Sequence, residues 1–217
     1  GFQYIHDLGI RAVEFDVRQL KDHELIIMHD DNMLRTTGID QALYPLSSTE
    51  LDSYNQAHIW LDWEKQSTPT LRQALQIMQD FEHLEVEVKA VQTQAEAERL
   101  TQHLTQQLRG FEHSAVITSF DLKILQALQD QHSTFKRGLL IEDDIQHLAI
   151  EQALKYDCCQ IGWMNQLATD DLLKATQQAN LAISVWTVND IERAKHLRDC
   201  GIDGLITDFP KMMLQHL

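Results

Sequence analysis

Short apolar runs alternate with stretches of helical periodicity along nearly the whole chain. That alternation leaves few folds open besides a parallel sheet with helices on its faces. The strand runs are Ala12–Arg18, Leu84–Lys89, Ala115–Phe120, Arg137–Ile141, Cys158–Trp163, Ala182–Val188 and Gly204–Thr207. Spacing predicts a short first helix over Phe2–Leu8, then helices over Thr70–Phe81, Thr93–Leu108, Asp121–Gln131, Asp144–Tyr156, Thr169–Asn180 and Asp190–Cys200. Ala97, Leu100, Leu104 and Leu108 form one apolar stripe, and several helices open at Asp or Thr, as N-caps do. A further run ending in Met28-His29 follows Ala12–Arg18 after only a short polar turn, Lys21–Glu24. A parallel return needs a dozen or more residues, so this run reads as an antiparallel hairpin arm.

Two of the strands carry acids in alternation. In Val13-Glu14-Phe15-Asp16-Val17-Arg18 the apolar residues point one way, and Glu14, Asp16 and Arg18 the other. Leu84-Glu85-Val86-Glu87-Val88-Lys89 repeats the pattern. Acids side by side in a buried strand are costly unless paired or bound to a cation. One reading is a solvated face on an edge strand. The other is a site for a hard divalent cation such as Mg²⁺ or Ca²⁺, which takes carboxylate oxygens. His29 arrives beside it at the end of the hairpin, and Lys89 offers a point charge to a phosphate. Together they suggest metal-assisted phosphoryl chemistry.

The chain has 217 residues, enough for one α/β domain with a sizeable core. Lys plus Arg is 18 against 33 for Asp plus Glu, a net charge of −15. That balance argues against nucleic acid or an anionic membrane as the main partner. No apolar run approaches the roughly 20 residues of a membrane-spanning helix, so no stable membrane insertion is expected. Three cysteines, two of them adjacent (Cys158-Cys159), make no disulfide framework and suggest a reducing, cytoplasmic location. The histidines other than His29 show no zinc-type spacing.

The chain resembles the glycerophosphodiester phosphodiesterase family. The residues that carry the resemblance occur in the family's order. They are Val13–Arg18, His29-Asp30-Asp31, Arg35-Thr36-Thr37, Pro69-Thr70-Leu71, Glu87-Val88-Lys89, Ser119-Phe120, Val185–Asn189 and Thr207-Asp208-Phe209-Pro210. The resemblance implies a TIM (β/α)₈ barrel spanning 1–217 as one domain. It implies a divalent metal, Mg²⁺ or Ca²⁺, and hydrolysis of a small-molecule glycerophosphodiester to glycerol 3-phosphate and an alcohol. One departure stands out: the family's opening His-Arg-Gly strand, source of a second catalytic histidine, is not among these residues. A barrel of this type takes about 250 residues, so the expectation is a barrel lacking its first strand over 1–217.

Carried over residue by residue, the resemblance makes Glu14, Asp16 and Glu87 the metal ligands and His29 the catalytic acid or base. Lys89 becomes a phosphate contact, the alternative being a salt bridge to Glu87. Phe120 and Trp186 become the pocket's apolar wall, or else ordinary core. Glu85 stands where the family tends to have Asn, and Arg11 or Arg18 is its expected partner. Thr36–Ser67, irregular and carrying Trp60 and Trp63, reads as an insertion covering the barrel mouth. Two rival readings remain. One is a related barrel phosphodiesterase acting on phospholipid head groups. The other is a non-catalytic metal-binding barrel.

Overall fold

The computed structural model of the protein describes residues 1–60 and 62–217. In chain order the elements are α1 (Phe2–Asp7), β1 (Ala12–Gln19), β2 (Leu25–Ile27), α2 (Leu34–Thr37), α3 (Ser48–Leu51), α4 (Leu71–Ile77), β3 (His83–Val88), α5 (Gln94–Gln107) and β4 (Ala115–Ser119). They continue as α6 (Leu122–Asp130), β5 (Lys136–Ile141), α7 (Leu148–Lys155), β6 (Gln160–Met164), α8 (Asp170–Gln178), β7 (Ala182–Trp186), α9 (Ile191–Asp199), β8 (Gly204–Leu205) and α10 (Pro210–His216).

One sheet runs in the order β2-β1-β3-β4-β5-β6-β7-β8. Every pair from β1 to β8 is parallel, while β2 pairs antiparallel with β1 through Val17↔Ile27 and Gln19↔Leu25. The sheet is therefore seven parallel strands curled as in a (β/α)₈ barrel, with the expected hairpin arm at one edge. Among the described residues no strand pairs with the outer edge of β8.

Alternation along β1 and β3 sorts the side chains. Phe15, Val17, Leu84, Val86 and Val88 face the helices and pack with Leu71, Leu75, Leu100, Leu104, Ile124 and Leu128. Leu139, Ile141, Ile161, Trp163, Ile183 and Val185 do the same against Ala149, Ala153, Leu172, Leu173, Ala194 and Leu197. Each such side chain contributes roughly 1.5–3 kcal/mol on burial. A slip of one residue in β1 would put Glu14 and Asp16 where Phe15 and Val17 sit, so the register is strongly held.

The helix starts follow their caps. Thr93 and Thr70 each close a capping box, with Glu96 and Gln73, and Asp121, Thr169 and Asp190 accept from the first turns of α6, α8 and α9. One start differs from the sequence expectation. The fourth long helix begins at Leu148 rather than Asp144, because Gln146 takes a left-handed conformation (φ 52°) that interrupts helical geometry just before it. The Cys158-Cys159 pair also lies just before β6 rather than within it, with Cys158 buried and Cys159 exposed.

The stretch 36–67, whose position 61 lies outside the described residues, has a small core of its own. Leu43, Leu46 and Leu51 pack with Leu20, Ile26, Met28 and Met33. It is thus anchored on the hairpin arm.

Candidate active site

Parallel pairing of β1 with β3 sets Glu14 opposite Glu85 and Asp16 opposite Glu87. All four point into the curl of the sheet. Carboxylate oxygens of Glu14, Asp16 and Glu87 lie within 4.8 Å of one another. Lys89 joins them from the end of β3. Its Nζ is 2.6 Å from Asp16 Oδ1 and also contacts Glu87 Oε1. Lys89 thus makes the salt bridge to Glu87 that is one reading of this residue, and a further one to Asp16.

One lysine does not balance three acids. Glu14 Oε1 is buried, and among the described residues none donates a hydrogen bond to it. Burial, then the neighbouring charges of Asp16, Glu87 and Glu85, push the Glu14 carboxyl up to about 9. Burial also raises Glu87, against the opposing pull of Lys89. Burial works to lower the Lys89 ammonium, but hydrogen bonds to Asp16 and Glu87 outweigh it and hold the group above its ordinary range. An orphaned carboxylate oxygen beside two more, with excess negative charge, is a donor set suited to a divalent cation.

Glu85 is satisfied without a cation. Its Oε2 accepts from Gln160 Nε2 at 2.8 Å and its Oε1 from Ser184 Oγ at 3.0 Å, with His83 Nε2 3.8 Å away. The expected arginine partners are elsewhere. Arg11 precedes β1, donates to the His6 and Ile10 carbonyls and pairs with Asp80. Arg18 lies four residues beyond Glu14, and its Nε and Nη2 both donate to the His29 carbonyl, at 3.0 and 2.8 Å.

That pair of bonds fixes the backbone of His29. Its side chain is held as well, with Nδ1 2.8 Å from Asp30 Oδ1. Asp30 in turn accepts from Arg35 Nε at 2.6 Å and Nη2 at 3.2 Å. Burial alone would raise the Asp30 carboxyl, but the Arg35 and His29 hydrogen bonds outweigh it and hold it below its ordinary range. The sequence puts His29 forward as the catalytic acid or base, but it does not announce Arg18, Asp30 and Arg35 as its hydrogen-bonded supports. All three fall within the segments that carry the family resemblance, Val13–Arg18, His29-Asp30-Asp31 and Arg35-Thr36-Thr37, yet no local pattern shows that they meet at His29.

A cavity of about 1380 Å³ lies within the curl, bounded by Glu14, Asp16, His29, Asp30 and Arg35 on one side and by Thr187, Thr207 and Asp208 on the other. It extends between the first half of β1 and β8. At the far rim Asn189 binds the 207–208 turn, accepting from Thr207 Oγ1 and the Asp208 amide and donating to Asp208 Oδ2. Phe120, just past β4, and Trp186, ending β7, meet edge to face with centroids 5.4 Å apart. Trp186 Nε1 donates to the Gly162 carbonyl at 3.1 Å.

The sequence model of the Glycerophosphoryl diester phosphodiesterase family matches residues 1–212. The chain belongs to this family. A glycerophosphodiester phosphodiesterase of Caldanaerobacter subterraneus subsp. tengcongensis is 23% identical over 218 residues, covering 99% of this chain and 88% of that protein. A glycerophosphodiester phosphodiesterase of Bacillus altitudinis is 22% identical over 217 residues, 97% of this chain and 87% of that one. An Oleispira antarctica phosphodiesterase, solved in complex with the product sn-glycerol-3-phosphate, superposes with a TM-score of 0.87 at 20% identity, over 99% of this chain and 88% of its own. The Thermotoga maritima glycerophosphodiester phosphodiesterase gives 0.79 at 22% identity, over 99% and 88%. Membership in the glycerophosphoryl diester phosphodiesterase family and the barrel architecture thus agree. Among the described residues no helix is long and apolar enough to cross a membrane.

Proposed function

We propose that this member of the family hydrolyses a glycerophosphodiester to glycerol 3-phosphate and an alcohol, with Glu14, Asp16 and Glu87 holding a divalent metal. The observation that carries this reading is the orphaned, buried Glu14 Oε1 within a 4.8 Å cluster of three carboxylates. A bound Mg²⁺ or Ca²⁺ supplies positive charge that polarises the phosphoryl oxygen.

The chain's own residues do the rest. Lys89, poised between Asp16 and Glu87, offers its ammonium to a phosphate oxygen. Water attacks phosphorus and sheds a proton to solvent as the P–O bond to the alcohol breaks, and His29 delivers a proton to the departing alkoxide. With Nδ1 bonded to Asp30, Nε2 is the nitrogen left for that transfer. The Asp30–Arg35 pair orients the ring. Phe120 and Trp186, packed edge to face at the ends of β4 and β7, are the apolar pair for the glycerol backbone to meet. A strand bearing the family's His-Arg-Gly, seated between β8 and β1, would bring the second histidine to the same cavity. The free cysteines suit a reducing compartment, and we propose a cytoplasmic location on that ground.

The test is calorimetric and enzymatic together. Mg²⁺ or Ca²⁺ should bind the chelator-treated chain, and Glu87→Gln should weaken binding and turnover in parallel. Unchanged affinity for both ions would remove the metal assignment.

A second reading has one observation in its favour. Trp60 and Trp63 are 52% and 68% exposed, an aromatic pair on the insertion that suits a lipid surface. In that case the substrate is a phospholipid head group. Co-sedimentation with lipid vesicles, lost in Trp60→Ser/Trp63→Ser, would support it. Absence of sedimentation would leave the soluble diester as substrate.

A further inference from the structure

Outside the acidic cavity, on the outer helical layer, Asp170, His196 and Cys200 converge from two helices. Asp170 is the first residue of α8, His196 lies in α9, and Cys200 caps the C-terminus of α9. His196 and Cys200 are four apart, so both project from one helical face a turn from each other. His196 Nε2 is 2.8 Å from Asp170 Oδ1 and 3.6 Å from Cys200 Sγ, and Sγ is 3.9 Å from the same Oδ1. The three donor atoms lie within 4.8 Å of one another. Histidine spacing alone does not show this cluster, because its other two members are a cysteine and an aspartate 26 residues before His196.

These separations fit tetrahedral zinc. With Zn–S of about 2.3 Å and Zn–N and Zn–O of about 2.0–2.1 Å, tetrahedral angles put S···N and S···O about 3.6 Å apart and N···O about 3.3 Å apart. The observed S···N distance already matches, S···O is within a few tenths of an ångström, and N···O needs only to open as the ion replaces the proton between Asp170 and His196. The donor set excludes the hard cations suited to Glu14, Asp16 and Glu87, because thiolate and imidazole favour zinc-like ions over Mg²⁺ or Ca²⁺. His196 and Asp170 side chains are 46% and 67% exposed, so an ion can enter and water can fill the fourth position.

We propose that Asp170, His196 and Cys200 form a zinc site that clamps α8 to α9. That junction already carries the His196–Asp170 contact and two bonds from Gln177 Nε2, which donates to the Cys200 and Gly201 carbonyls at 3.0 Å each. The proposal is independent of the catalytic reading.

Cobalt serves as the spectroscopic probe. One equivalent of Co²⁺ added to the full chain should give a near-ultraviolet thiolate charge-transfer band, displaced by Zn²⁺. Cys200→Ser should abolish the band. Asp170→Asn, an exposed substitution that leaves the fold intact, should weaken Co²⁺ binding by roughly tenfold or more. Cys159→Ser and Glu87→Gln should leave the band unchanged. Zn²⁺ should raise the melting temperature of the parent chain and not that of Cys200→Ser. A titration without a thiolate band, or a band that survives Cys200→Ser, would overturn the proposal.

Discussion

Asp16 and Glu87 are register partners across the β1–β3 ladder, and Lys89 Nζ contacts both carboxylates. The two acids are 71 positions apart in the chain, yet the parallel pairing leaves them no choice but to face each other. With Glu14, whose carboxyl burial and these neighbouring acids push up to about 9, they form a three-carboxylate donor set that one lysine only partly satisfies. The account of function rests on that imbalance.

Removing one ligand should therefore weaken metal without unfolding the barrel. Glu87→Gln keeps the shape of the side chain and one acceptor oxygen. Its affinity for Mg²⁺ and Ca²⁺, read by calorimetry, should fall at least as far as the 10–100-fold typical of losing a supporting partner of a metal ligand. Its circular dichroism should match the parent.

Glu14 makes the metal-free protein sensitive to pH. Its carboxyl is raised to about 9 by burial and then by neighbouring acids, against 4.5 in the unfolded chain. Between those values the native state holds a proton that the unfolded state has lost. Stability on this account is greatest below about pH 4.5 and falls as pH rises towards 9. Glu14→Gln removes the titration. In chelator, the variant should gain on the parent between pH 6 and pH 9 by an amount on the order of a few kcal/mol. Parallel stability curves for the two proteins would contradict the burial of an uncompensated carboxylate.

His29 should act on turnover rather than binding. His29→Ala should lower kcat by roughly 10²–10⁴-fold with little change in KM. Asp30→Asn, which leaves the ring but alters its partner, should shift the pH profile of kcat. A profile identical to the parent's would show that Asp30 does not tune His29.

The open side of the sheet predicts a gain. Among the described residues β8 pairs with β7 alone, and the cavity extends between β8 and the first half of β1. Unpaired edges and unfilled interior layers both cost stability. A chain extended with a family-type strand carrying His-Arg-Gly should melt at a higher temperature than residues 1–217 and turn over diesters faster. Equal turnover would mean that His29 and the three carboxylates suffice, without a second histidine.

Much of this was legible in the sequence, for a physical reason. Period-two alternation in Val13–Arg18 and Leu84–Lys89 sorts core from cavity by itself, so the seven parallel strands, the hairpin and the inward acids could all be read. Cap residues such as Thr93, Thr169 and Asp190 marked helix starts to within a residue. Non-local partners could not be read. Glu85 finds Gln160 and Ser184, 75 and 99 residues away, rather than the nearby arginines. Those pairings depend on the curl of the sheet, which no local pattern encodes. The same holds for Asp170 meeting Cys200. The start of α7 was missed because nothing in its composition announces the left-handed turn at Gln146.

The central claim is that Glu14, Asp16 and Glu87 hold the metal of a glycerophosphodiester hydrolase. Its most direct test is release of glycerol 3-phosphate from a panel of glycerophosphodiesters with choline, ethanolamine and glycerol head groups. The assay compares the parent chain and Glu87→Gln, each with the His-Arg-Gly strand supplied, in chelator and then with Mg²⁺ or Ca²⁺. The account predicts release only after metal is added, and a loss of about 10²-fold or more in Glu87→Gln. Hydrolysis that persists in chelator, or that Glu87→Gln leaves intact, would contradict it.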